Sequence, residues 1–193
     1  MRFYLVRVLI FLSFAFSGNA DHLIFNRICI APDEGQTIEI YNPTDDVIDL
    51  SNYYLSDSDK YYNWAHGNSS ITNPRDFIIQ FNQNTEIEPQ GSIYITTQSN
   101  DVFFTYYGYY PDISLIDTDF ANAEIGGSAE LSASQEMLAL FYWDQVSNII
   151  QDVDYFLWGA SNTAVYKTTD EGYPYSDTTI DQQHFIRNYG QPN

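Results

Sequence analysis

Two aspartates separated by a single serine are the first residues whose types and spacing could do chemistry. Asp57 and Asp59 follow an apolar run that ends at Leu55, where a strand should give way to a loop. Carboxylate oxygens at alternate positions are typical ligands of Ca²⁺, a hard cation. A full EF-type loop would add a glycine and a bidentate acid at set spacing, and both are missing here. Asp57 and Asp59 are therefore candidate Ca²⁺ ligands, with Asp117 and Asp119 as a second candidate pair, and no other cofactor is expected.

A second acidic pair, Asp152 and Asp154, could act on a glycosidic bond, because glycoside hydrolases use two carboxylates. Two positions apart on one strand, the pair would share a face of the sheet, and that face could equally be solvated. The chain carries 26 Asp and Glu residues, so some carboxylates must lie close together by composition alone. The pattern favours a solvated face, and a hydrolase is the alternative.

Aromatic residues make up 17% of the chain and include 17 tyrosines. Exposed rings could stack on sugars or fill a protein interface, because they offer a large rigid area and a hydroxyl group. The pattern favours the other use, in which they cover the surface of a sheet, where aromatic side chains pair well across strands. The candidate ligand patch comprises Tyr61, Tyr62, Trp64, Tyr107, Tyr109 and Tyr110, with Tyr106 beside it.

Enzyme signatures are absent from the sequence. It contains no His-Glu-x-x-His, no Gly-x-Ser-x-Gly, no phosphate-binding glycine loop and no cysteine cluster. His22, His66 and His184 are scattered, so a zinc site would need the fold to bring them together. The single cysteine, Cys29, lies in an apolar strand and is predicted to be a buried, inert thiol. These features predict a protein that is not an enzyme.

The segment 36–57 has the clearest pattern of secondary structure. Ile38 and Ile40 alternate with polar residues, as in a strand with one buried face. Asn42-Pro43 then predicts a turn, because proline has no N–H and forces the preceding residue into extended geometry. A second strand carries Tyr53 and Leu55 on one face.

The segments 37–42 and 48–57, TIEIYN and IDLSNYYLSD, resemble the signature of the lamin-tail domain family in its secreted bacterial form. Phe25-Asn26-Arg27 stands where that pattern has an Ile-Asn-Glu strand, and Tyr53 replaces its usual Trp. The resemblance continues through the turn Glu88-Pro89-Gln90-Gly91 and covers about residues 23–158. It implies an immunoglobulin-like β-sandwich that serves as an accessory module beside other exported domains.

Further strands are predicted over residues 77–81, 92–97, 137–143 and 149–158, with a possible last strand at 183–187. A short helix is predicted over residues 101–107, because Asn100 can cap its start and Gly108 its end. Seven or so short strands, one helix and no βαβ rhythm indicate an all-β sandwich. We expect a single domain at 21–158 and a looser C-terminal extension at 159–193.

The first 20 residues predict export. Arg2 and Arg7 precede an apolar run that is too short for a membrane span, and small residues stand at Gly18 and Ala20. We therefore expect a signal peptide over 1–20, a secreted or cell-surface location, and no membrane insertion after cleavage. Asn68-Ser69-Ser70 is a glycosylation sequon, meaningful only in a host that glycosylates exported proteins.

The charge balance excludes several partners. The chain has 26 acidic against 7 basic residues, a net charge of −19. Nucleic-acid binding depends on Lys and Arg side chains that neutralise phosphates, so no nucleic-acid partner is expected. Together with the absent enzyme motifs, this predicts a secreted binding, adhesion or accessory module for a protein or carbohydrate ligand. The alternatives are a small carbohydrate-active hydrolase and a structural, self-assembling surface protein.

Overall fold

The structure, a computed structural model, describes residues 20–67, 71, 73–159, 165 and 167, and this part of the chain is mostly β-sheet. Its strands, in chain order, are β1 (Ile24–Cys29), β2 (Thr37–Tyr41), β3 (Ile48–Asp49), β4 (Tyr53–Ser56), β5 (Phe77–Gln80), β6 (Glu86–Ile87), β7 (Ser92–Thr96), β8 (Ile113–Ser114), β9 (Asn122–Ile125), β10 (Glu136–Tyr142) and β11 (Gln151–Trp158). The helix α1 spans Asn100–Tyr107, and 3-10 helices span Asp33–Gly35 and Tyr61–His66. The all-β prediction is confirmed.

Two larger sheets and one short ribbon organise these strands. One sheet has the order β1-β2-β7-β8, and the other has the order β11-β10-β4-β5-β9. All pairings in the larger sheets are antiparallel except that of β7 with β8, which is parallel. The ribbon consists of β3 and β6. In the five-stranded sheet, the pairings of β10 with β4 and of β5 with β9 join segments that are far apart in the chain.

The five-stranded sheet carries apolar side chains on both faces. Along β10, Leu138 and Leu140 join a core that also includes Ile38 and Ile95 of the four-stranded sheet. Met137, Ala139 and Phe141 point the other way, into a second core with Tyr54, Tyr61 and Tyr62. Burial on both faces explains why β10 reads as a continuous apolar run rather than an alternating one.

The predicted elements agree with the observed ones to within two residues at most boundaries. The segment predicted at 137–143 is β10, which lies between β4 and β11 as a central strand. The predicted helix is present, but it begins one residue earlier, and its cap is the Ser99 side chain, which accepts a hydrogen bond from Val102 N at 3.4 Å. Gly108 ends it in the left-handed conformation, as expected.

Two burial predictions are wrong. Thr37 and Glu39 were expected on a polar, solvated face of β2, yet both are buried. The reason is that the outer face of the four-stranded sheet is covered there, since Tyr107 of α1 and Tyr94 of β7 lie against these two residues. Cys29, predicted to be buried, is only half-buried near the end of β1, and its thiol donates to Ala31 O at 3.4 Å.

Several sequence predictions fall outside the described residues: almost all of the signal peptide, the sequon Asn68-Ser69-Ser70, most of the C-terminal extension at 159–193 with its last strand at 183–187, and His184. Within the described residues, the helices are all too short or too polar to span a bilayer.

Candidate functional site

Three acidic residues meet at one end of the five-stranded sheet. β4 runs antiparallel to both of its neighbours, β5 and β10. The carboxyl end of β4 therefore lies beside the amino ends of these two strands. Asp57 follows β4, Asp76 precedes β5, and Glu136 is the first residue of β10. We call Asp57, Asp76 and Glu136, with the nearby exposed Asp59, the strand-end cluster.

Asp57 is the most buried member, with 2% of its surface exposed. Its Oδ1 atom accepts a hydrogen bond from the backbone N–H of Phe77 at 2.6 Å, and its own N–H donates to Phe77 O at 3.3 Å. Its Oδ2 atom is buried and has no hydrogen-bond partner among the described residues. One half of this carboxyl group therefore ties β4 to β5, and the other half faces no donor.

Burial and mutual repulsion act on the protonation of this cluster. Burial raises the pKa of Asp57 well above its usual range, the N–H of Phe77 opposes this, and the charges of Asp76 and Glu136 add to it. Burial likewise raises the pKa of Glu136 to about 7, with further contributions from Asp76 and Asp59. Removing a carboxylate from water disfavours its ionised form, and neighbouring negative charge has the same effect. A positive charge placed next to these carboxylates would therefore stabilise their ionised form.

The predicted Ca²⁺ ligands are not a pair of equivalent loop residues. Asp57 is buried, while Asp59 is exposed. Among the described residues, no group of three or more His, Cys, Asp or Glu side chains is already arranged to hold a metal ion. In the second candidate pair, Asp117 Oδ2 accepts a hydrogen bond from Asn100 N at 2.6 Å, at the start of α1. The backbone oxygen of Asp119 accepts a hydrogen bond from Asn82 Nδ2 at 2.8 Å.

Asp152 and Asp154 do not share a solvated face, and that part of the prediction is wrong. An irregularity in the pairing of β10 with β11 leaves Val153 as an extra residue between them, which breaks the alternation of side chains. Asp152 pairs with Lys167 and accepts from Tyr61 Oη at 2.7 Å. Asp154 Oδ2 instead accepts from Phe25 N at 2.6 Å and joins β11 to β1. Each carboxylate has a structural partner in a different part of the molecule.

The predicted aromatic patch divides into two groups. Tyr61 and Tyr62 are 1% exposed and belong to the second core, so their assignment to the candidate ligand patch is wrong. Trp64 packs half-buried against the same core. The 3-10 helix Tyr61–His66 folds back over the five-stranded sheet, and the Tyr61 ring lies 5.3 Å from that of Phe141. These rings cover the sheet, the alternative that the composition had left open.

Two tyrosines of the second core offer a matched test of this packing. Tyr54 Oη is buried with no hydrogen-bond partner among the described residues, whereas Tyr61 Oη donates to Asp152. We expect Tyr54→Phe to leave the free energy of unfolding unchanged or to raise it by up to about 1 kcal/mol, because it removes an unsatisfied group. Tyr61→Phe should lower it by about 1.5 kcal/mol, since it breaks a hydrogen bond to a charged group. Urea unfolding of both variants checks this, and equal losses would contradict it.

The second group of rings surrounds α1 and is largely exposed. Phe104 and Tyr110 are stacked, with ring centroids 4.6 Å apart and an interplanar angle of 27°, and they are 42% and 60% exposed. Tyr109 stands edge-on to Tyr94 of β7, with centroids 6.2 Å apart. We call Phe104, Tyr109, Tyr110 and Tyr94 the aromatic platform. It continues from the end of α1 onto the outer face of the four-stranded sheet.

The platform is anchored from beneath. Phe103 is fully buried and lies 5.5 Å from the ring of Tyr109. Tyr107, also predicted for the patch, is half-buried, and its hydroxyl donates to Gly35 O at 2.7 Å. The Tyr106 ring packs so closely on Gly35 that a Cβ atom there would lie 2.9 Å from it. These contacts fix α1 against the segment before β2, so the exposed rings are presented on a rigid support.

Polar groups border the platform on the sheet. The Arg27 guanidinium lies 5.8 Å from the centroid of Tyr94 and pairs with Glu39, Nε to Oε2, at 3.5 Å. Glu39 Oε1 also accepts from Ser92 Oγ at 2.9 Å and from Tyr94 Oη at 3.4 Å.

On the other side of α1, a shallow depression of about 380 Å³ is lined by Tyr106 and by the acidic residues Glu34 and Asp101. A ligand would therefore meet ring faces beside hydrogen-bonding groups.

Sequence reasoning missed Asp76, Glu136, Phe104 and Tyr94. Asp76 and Glu136 each stand at the start of an apolar strand, but only the strand order places them beside Asp57. Phe104 could have been found by placing the predicted helix on a helical wheel with Phe103 facing inward. Tyr94 alternates with Ile93 and Ile95 and so belongs to the outward face of β7.

Comparisons with known proteins identify no family. No protein-family profile and no curated protein matches the chain. Among solved structures, the crystal structure of a DUF4876 family protein from Bacteroides thetaiotaomicron is similar, with 15% sequence identity and a TM-score of 0.38. The match covers 70% of this chain and 53% of that one, so this chain spans about half of its length. A likeness of this size carries no argument about function.

Proposed function

We propose that this chain is an exported, non-catalytic binding module of the lamin-tail type, with an immunoglobulin-like sandwich fold, and that it binds neutral carbohydrate on the aromatic platform. The observation that carries the proposal is the exposed, stacked pair of Phe104 and Tyr110. The fold assignment is supported by the lamin-tail motifs and by side chains of both larger sheets in one core. Export is supported by the leader-like pattern at 1–20.

The chemistry of the platform suits a sugar. Aromatic ring faces contact the C–H faces of a pyranose, and the platform leaves several ring faces open to solvent. Arg27, whose side chain is 54% exposed, can donate hydrogen bonds to sugar hydroxyls at the border of the platform. The net charge of −19 repels anionic polysaccharides, so a neutral glycan is the better match. The hydrolase alternative loses support because Asp152 and Asp154 hold separate structural partners.

A glycan array with the full chain and three variants tests the proposal. We expect Tyr110→Ala and Phe104→Ala to weaken binding to a neutral glycan by roughly three- to tenfold each, because each removes one stacking surface. Val146→Ala is the matched control, since Val146 is an apolar side chain that is 85% exposed on a distant turn. It should bind as the parent does.

Three outcomes would count against this function. The parent chain could bind no glycan, it could bind equally well without Tyr110, or it could bind only a protein partner through the same rings. Size-exclusion chromatography at several concentrations separates the structural alternative, because a self-assembling protein would form larger species without any ligand.

A further inference from the structure

We propose that the strand-end cluster is a Ca²⁺ site in which Oδ2 of Asp57 is the central ligand and Asp76, Glu136 and Asp59 supply further carboxylate oxygens. The proposal is independent of the carbohydrate platform, which lies on the other sheet and on α1. It differs from a loop site formed by Asp57 and Asp59 alone, because two of the four acids come from neighbouring strands.

The first argument is the unpartnered atom. Asp57 is 2% exposed, its Oδ1 is satisfied by Phe77 N, and its Oδ2 is buried without a hydrogen-bond partner among the described residues. An unsatisfied buried acceptor destabilises the folded state, and more so if it is charged. A buried carboxylate oxygen that lacks a donor and lies within the influence of the Asp76 and Glu136 charges is what a bound cation would satisfy.

The second argument is the convergence of backbone segments. Ser56, the last residue of β4, pairs with Ile78 near the start of β5 and with Ala139 of β10, and β10 extends past this point to Glu136. The N–H of Gly126 donates to Asp76 O at 2.9 Å, and that of Asp76 donates to Asn73 O at 3.0 Å, which fixes the backbone at Asp76. The acids thus project from ordered positions. Among the described residues these side chains are not grouped around one point: Asp76 Oδ2 accepts from Asn73 N at 3.0 Å, and Glu136 accepts from the backbone at Met137 and Ser132. Binding therefore requires the carboxylates of Asp76 and Glu136 to turn towards Oδ2 of Asp57.

The donor chemistry selects the ion. All four side chains offer carboxylate oxygens, which are hard donors. No cysteine belongs to the cluster, which disfavours soft metals. Ca²⁺ accepts irregular arrangements of six to eight oxygens, whereas Mg²⁺ requires a nearly ideal octahedron. We therefore expect Ca²⁺ to bind more tightly than Mg²⁺, with a Kd of roughly 10⁻⁴–10⁻³ M, as in extracellular modules.

Thermal unfolding with CaCl₂ tests the site on the full chain. Starting from EDTA-treated protein, Ca²⁺ should raise the Tm of the parent saturably at constant ionic strength. At ten times Kd, the folded state is favoured by a further factor of about 11. Calorimetric titration with CaCl₂ should give one site per chain, and MgCl₂ should bind more weakly.

Isosteric variants make the result specific. Asp57→Asn keeps an acceptor for Phe77 N but removes the charge, and it should weaken Ca²⁺ binding at least tenfold. Glu136→Gln and Asp76→Asn should also weaken it, and they decide the question if Asp57→Asn does not fold. Asp45→Asn removes an equal charge from an exposed turn outside the cluster and should bind as the parent does.

The proposal fails if the parent shows no saturable response to CaCl₂, or if the cluster variants respond as Asp45→Asn does, since the acidic surface would then bind Ca²⁺ diffusely. It also fails if acidification stabilises the EDTA-treated parent while CaCl₂ does not. The strand-end cluster would in that case accommodate its charge by binding protons alone.

Discussion

Gly159→Ala is expected to lower the free energy of unfolding by more than about 4 kcal/mol. Gly159 follows β11 with a φ angle of +81°, a left-handed conformation that costs alanine about 1 kcal/mol. The larger cost is steric. An added Cβ would collide with the backbone oxygen of Ser134 and lie 2.5 Å from Gln135 Cα. Both are backbone atoms next to the start of β10, so relief of the clash must displace that strand.

Gly108→Ala is the matched control for Gly159→Ala. Gly108 has a φ angle of +80°, and an added Cβ there would meet no atom within 4 Å. The two substitutions thus share the conformational cost and differ only in the clash. We expect Gly108→Ala to cost about 1 kcal/mol in urea unfolding. Similar losses for both variants would mean that the backbone near Ser134 yields easily, which would contradict the prediction.

Asn42→Ala is expected to cost about 3 kcal/mol, because the fully buried Asn42 amide holds two turns together. Its Nδ2 donates to Asp46 O at 2.7 Å, Ile87 O at 3.0 Å and Glu88 O at 3.3 Å. Its Oδ1 accepts from Thr44 N at 3.0 Å and from Thr44 Oγ1 at 2.7 Å. Alanine would leave several of these buried groups without partners.

Two further substitutions separate hydrogen bonding from packing at Asn42. Asn42→Asp has the same shape but cannot donate, and it faces three carbonyl oxygens, so we expect it to be at least as destabilising as alanine. Asn82→Ala removes a single, more exposed hydrogen bond to Asp119 O and should cost less than about 1 kcal/mol. Guanidinium unfolding of the three variants measures the order. A well tolerated Asn42→Asp would show that shape, rather than donation, is what the site requires.

Local patterns in the sequence were sufficient for most of the longer elements, although they did not predict β6, β8, β9 or the two 3-10 helices. The alternation of Ile38 and Ile40, the Asn42-Pro43 turn and the continuous apolar run of β10 each predicted the element that the structure contains. The helix after Ser99 was also predictable, because caps and a terminal glycine act within a few residues. These signals depend on backbone geometry and near neighbours, and they need no knowledge of the fold.

Burial was harder to predict for the aromatic residues. Tyr61 and Tyr110 occur in similar tyrosine-rich runs, yet one is 1% and the other 60% exposed. The difference arises because the five-stranded sheet has a second apolar face that needs a cover, and the 3-10 helix at Tyr61 supplies it. Whether a ring is covered depends on which distant segment packs over it, and the spacing of residues does not contain that information.

Asp57 illustrates both sides of this division. The sequence by itself determined that Asp57 ends a strand and that an acid there could be a ligand. Only the tertiary structure decided that β4 lies between β5 and β10, which brings Asp76 and Glu136 to the same end of the sheet. The physical reason is that strand order is fixed by long-range pairing and by burial of both faces of the sheet, whereas local propensity fixes only where each strand begins and ends.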